Sequence, residues 1–142
     1  MNGNSELLNY IYQNSQMGVI TINELLKMIE DNNFKVHLEK QLEGYTTYHK
    51  KAKEMLNQNG YDEKSISLFD KIKTYTMLNL QTLTNKTTSH IAEMMVIGSN
   101  MGVIDAIKNL KKYKDAEPNI VQLQQELLTF EENNMVELKK FL

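Results

Sequence analysis

A chain of 142 residues with 41% hydrophobic and 24% charged side chains can build one core and is too apolar to be disordered. Its net charge of −2, with lysines clustered at most in pairs among the acids, excludes an electrostatic footprint for nucleic acid. The absence of cysteine excludes disulfides, thiolate metal sites and cysteine nucleophiles. The opening MNGNSELLNY has no signal-peptide pattern and no 18-residue apolar run follows it, so a single cytoplasmic domain over 1–142, not bound to membrane, is expected.

One proline, few glycines and no alternating strand pattern predict an all-α protein. Ser5 is a candidate cap for a first helix over 5–31, whose stripe Leu8, Ile11, Ser15, Gly18, Ile22, Leu25 and Ile29 follows the 3-4 spacing of one helix face. Asp31-Asn32-Asn33 is a break that allows only an antiparallel turn. A second helix over 33–58 presents Leu38, Leu42, Tyr45, His49, Ala52 and Leu56, and Gly60 is the natural residue to end it. A shorter third helix, 66–84, has the stripe Phe69, Ile72, Thr76, Leu80 and Leu83.

The polar cluster Asn85, Thr87, Thr88 and Ser89 predicts a break or a sharp kink before a fourth helix that runs to Tyr113. Its stripe is Thr87, His90, Met94, Ile97, Met101, Ile104 and Lys108, with Gly98 and Gly102 on an adjacent face where another backbone can approach. Pro118 fits the first turn of a last helix, 118–141, with Ile120, Leu123, Leu127, Phe130, Asn134, Leu138 and Phe141 inward.

With short turns, the long helices make two antiparallel hairpins joined by a helical crossover, the connectivity of a ferritin-like up-down four-helix bundle of about five helices in all, with a five-helix array of other connectivity as the alternative. The segments QLEGYTTYHKKAKEMLNQNG (41–60), SHIAEMMVIGSNMGVIDAIKNLKKY (89–113) and FEENNMVELKKFL (130–142) resemble a group of small bacterial ferritin-like proteins of Firmicutes. That resemblance implies the fold and no assigned activity.

A di-iron site in this fold takes a Glu from each of two helices and Glu-x-x-His from each of the other two. Here Glu43, Glu93, Glu131 and Glu132 are followed three residues on by Thr46, Val96, Asn134 and Met135, so the motif is missing. The middles of the long helices, around Gly18, Tyr45, Met101 and Phe130, are apolar or small and predict a sealed core. The alternative metal donors are His90 with Glu93 and His37, a set suited to zinc, then His49, Glu43 and Glu24, and last Glu131, with Fe or Mn as other candidates. For His49 the simpler expectation is a hydrogen bond to the hydroxyl of Tyr45 or Tyr48.

No phosphate loop, nucleophile triad or calcium loop is present, so no cofactor is expected and enzymatic activity is disfavoured. The expected role is a non-enzymatic assembly or interaction module without an intact di-iron centre, forming a homodimer or other homo-oligomer or engaging another protein. A metal-binding storage or redox protein is the alternative.

Overall fold

Helix α1 (Asn4–Leu26) stops where the Lys27 and Met28 N–H groups turn back onto the Glu24 and Leu25 carbonyls, respectively. Asp31 then caps helix α2 (Asn32–Gln58), its carboxylate accepting from the Phe34 N–H at 3.0 Å. The second hairpin consists of α3 (Thr88–Lys112), capped by the Thr87 hydroxyl on the His90 N–H, and α4 (Pro118–Leu138) with Pro118 in its first turn. A single 3-10 turn, Lys139–Phe141, follows. The computed structural model describes residues 3–61 and 83–142, and helix is the only regular structure among them. The expected crossover helix over 66–84 falls outside the described residues except for positions 83 and 84, which are not helical.

Each hairpin packs internally, α1 on α2 and α3 on α4, and the two hairpins share one core. Their relative direction is set at one end, where the buried Asn4 side chain accepts from the Glu117 N–H at 2.8 Å. The starts of α1 and α4 are therefore neighbours. These two helices run parallel, and α2 and α3 run the other way. Consequently α2 ends and α3 begins at opposite ends of the helix pack. No helix of the described residues is long and apolar enough to cross a membrane.

The sequence stripes of α1 and α2 point inward as expected: Leu8, Ile11, Ser15, Ile22, Leu25, Leu38, Tyr45, Ala52 and Leu56 are all buried. Gly60 ends α2 with a positive φ of 77°, as its position predicted. The start of α1 differs slightly, because Gly3 rather than Ser5 precedes its first turn, with φ 70° and its Cα against the Tyr113 ring.

Helix α3 overturns its expected face. Ile97, Met101 and Ile104 point to solvent (56%, 45% and 44% exposed), while Ile91, Ala92, Ser99, Gly102, Val103 and Ala106 are buried. The inner face consists mostly of small residues because α3 lies close against its neighbours. Large side chains in those places would hold it off.

In α4 the buried residues include Leu127, Glu131, Asn134 and Leu138, so its inner face has shifted from Phe130 towards Glu131. Phe130 is half-buried and crosses the Tyr45 ring edge-on at 5.0 Å. Its tip occupies the space beside Gly44 that a Cβ would need, so α2 and α4 meet through that missing side chain.

Gly44→Ala is expected to lower stability by roughly 1–2 kcal/mol in urea unfolding, since the clash outweighs a gain of about 1 kcal/mol in helix propensity. Combining it with Phe130→Leu should cost less than the two single losses added together. Strict additivity would mean that the ring does not occupy the glycine's space.

Candidate functional site

The middle of the helix pack holds a carboxylate. Glu131 of α4 is 2% exposed and has no cationic partner among the described residues; its oxygens accept from the Asn14 amide at 2.6 Å and from the Tyr45 hydroxyl at 2.9 Å. Ser99 and Asn134 lie beside the same hydroxyl. From α3, Gly102 faces the carboxylate so closely that a Cβ there would stand 2.9 Å from Oε2. The Tyr10 hydroxyl donates to the Gly102 carbonyl at 3.2 Å, linking α1 to α3 beside the site. Four helices thus converge on one acidic group, and the expectation of a sealed core without carboxylate at mid-height is corrected.

The electrostatics follow from burial. Removal from water pushes the Glu131 carboxyl up from 4.5 to about 7, against the opposing pull of the Asn14 and Tyr45 hydrogen bonds. Burial also raises the Tyr45 and Tyr10 hydroxyls, with the Glu131 charge adding to both, so these remain donors at any physiological pH. The two donors offset part of the cost of burying a charge, and a proton can offset the rest. The site can hold or release one proton near neutrality. Gly102 and Asn14 stand directly against the carboxylate.

The other residues singled out as metal donors lie elsewhere and are dispersed. Glu24 pairs with Lys27 at 2.9 Å on the surface, and Glu43 is exposed. His49 stacks on Tyr12 with ring centres 4.3 Å apart, and its Nδ1 lies 3.2 Å from the Tyr12 carbonyl. Its partner is thus a residue of α1 rather than the hydroxyl of Tyr45 or Tyr48.

His90 and Glu93 do meet at the start of α3, with Nδ1 3.6 Å from Oε2. His37 is at the same end but is engaged by the Gln41 amide at 2.7 Å and the Phe141 ring at 5.6 Å. Burial lowers its pKa, with the Glu137 charge opposing and Lys40 and Lys140 assisting. Among the described residues no group of three or more His, Cys, Asp or Glu side chains is gathered as a metal would require.

In the sequence Glu131 was legible only as a last candidate metal donor, not as a buried acid held by hydrogen bonds. Leu127, Glu131, Asn134 and Leu138 also follow helical spacing, in a register that competes with the one through Phe130. The deciding contacts, Asn14 and Tyr45, lie 117 and 86 residues away in sequence. The chain matches no known protein family, no curated protein and no solved structure.

Because the folded carboxyl binds its proton more tightly than the unfolded one, its contribution to stability is greatest at low pH. It falls as pH rises from about 4.5 to about 7, by on the order of 3 kcal/mol, and is constant above. Glu131→Gln should therefore gain on the wild type across that interval and be the more stable protein at pH 8, as read by urea unfolding at several pH values. Parallel pH curves for the two proteins would contradict the raised carboxyl.

Proposed function

We propose that the protein is a non-enzymatic assembly module, a cytoplasmic bacterial bundle of ferritin-like connectivity that lacks a di-metal centre and works through the outer face of α3. The connectivity is supported by the two antiparallel hairpins with α1 parallel to α4 and α2 parallel to α3. The central donor set does not fit a di-iron carboxylate site, which takes four carboxylates and two histidines. Here one carboxylate is surrounded by Asn14, Tyr45, Ser99 and Asn134, and α3 is packed directly onto it.

The observation behind the assembly role is the outward aim of Ile97, Met101, Ile104 and Ile107 along one side of a single helix. Scattered apolar residues on a surface are ordinary, but a continuous row at helical spacing is what a partner helix buries. Met101 adds an adaptable thioether at its centre.

A second reading, a bound Fe, Mn or Zn, has the His90–Glu93 pair as its support. Elemental analysis of protein purified without chelator separates the two readings. The module is expected to hold no stoichiometric transition metal, whereas metal lost on His90→Ala would favour the second.

The module itself is tested by placing a photo-crosslinking amino acid at position 101 and, as a control, at the exposed Glu39 of α2. In its native cells, position 101 should join the chain to another polypeptide and position 39 should not. Equal labelling from both positions would count against α3 as the working face.

A further inference from the structure

We infer that the outer face of α3 is self-complementary and pairs antiparallel with α3 of a second copy of this chain. The inference rests on the assembly reading above and names its partner. About a two-fold axis passing between Asn100 and Met101, Ile97 of one copy falls opposite Ile104 of the other. Met94 falls opposite Ile107, and Glu93 falls opposite Lys108. The symmetry repeats each of these contacts, so the apolar row meets an apolar row and each end is closed by opposite charges.

Four features of the single chain fit that arrangement. Ile97, Met101, Ile104 and Ile107 are exposed at the spacing of an interhelical seam. Glu93 keeps 62% of its side chain in solvent and touches His90 only at 3.6 Å, so its carboxylate is available to an outside cation. Lys108, one turn beyond Ile104, is exposed and in register with the seam. Gly98 flanks the row with nothing within 4 Å of where a Cβ would be, which lets a second helix come close without displacing anything. The opposite alignment, parallel, would place Glu93 against Glu93 and Lys108 against Lys108. The charges therefore select the antiparallel pair as well as permit it.

From Glu93 to Lys108 the seam is roughly 22 Å long at 1.5 Å per residue, so the interface is small and the dimer should be in exchange with monomer at micromolar concentration. The experiment is sedimentation equilibrium of the full chain from low to high micromolar concentration. The wild type should dimerise, and Ile104→Glu should be monomeric throughout with unchanged helix content by circular dichroism. Glu93→Lys and Lys108→Glu should each weaken the dimer by at least about tenfold. The double exchange Glu93→Lys with Lys108→Glu should recover most of the loss.

A wild type that stays monomeric, a dimer that Ile104→Glu leaves intact, or a double exchange no better than the single ones would overturn the pairing. The assembly reading fails on different results. A monomeric chain whose position 101 crosslinks to a different protein keeps α3 as a docking face and rejects only the second copy. An unreactive position 101, or one that crosslinks only within its own chain, removes both.

Discussion

Helix α3 lies so close to α4 that the Glu131 carboxylate occupies the space where residue 102 would otherwise place a side chain. That contact requires glycine at 102 and small residues on the turns around it, and Ala92, Ser99 and Ala106 supply them. With an inner face mostly of small side chains, where Ile91 and Val103 are the larger apolar ones, the helix places most of its other large apolar residues elsewhere. In α3 they are on the outer side, as Ile97, Met101, Ile104 and Ile107. The buried acid and the exposed apolar row, on opposite sides of the same helix, are thus one arrangement seen twice.

The acid itself is tolerated because each neighbouring helix gives it something. Asn14 of α1 and Tyr45 of α2 donate hydrogen bonds, and α3 gives up a side chain. Burying a lone carboxylate costs several kcal/mol, and such groups persist when their hydrogen-bonding capacity is met and a proton can neutralise them. Such a group also disfavours alternatives. Rotating any one helix would leave Glu131 with an unpaired oxygen or a colliding Cβ, which fixes the register of all four more firmly than leucine contacts alone. Nearby Gln124 is wholly buried with neither amide atom partnered among the described residues, so this interior is polar beyond the single acid.

Where the chain has one apolar face, as in α1 and α2, spacing alone identified the core, and the breaks at Asp31 and Thr87 and the first-turn proline at 118 were equally visible. Spacing misread α3 because that helix has two candidate faces. The one with the larger side chains is the stronger hydrophobic signal, yet it is turned outward. Gly102, Ser99 and Ala106 held the contrary signal, since smallness marks close approach as surely as size marks burial. In α4 the choice between Phe130 and Glu131 favoured the apolar residue, on the sound expectation that an unpartnered carboxylate stays in water. The partners come from the other hairpin, and no local pattern announces them.

The Asn4–Glu117 hydrogen bond, which seats the start of α4 beside the start of α1, has an electrostatic consequence for the whole pack. Among the described residues each end carries two helix beginnings and two helix endings, so these four peptide macrodipoles oppose one another in pairs. These four helices together project little backbone field from either end. Whatever meets this protein at a distance is met by the charges of its side chains, and those of α3, acidic at Glu93 and basic at Lys108, Lys111 and Lys112, form a gradient along one helix that no macrodipole blurs.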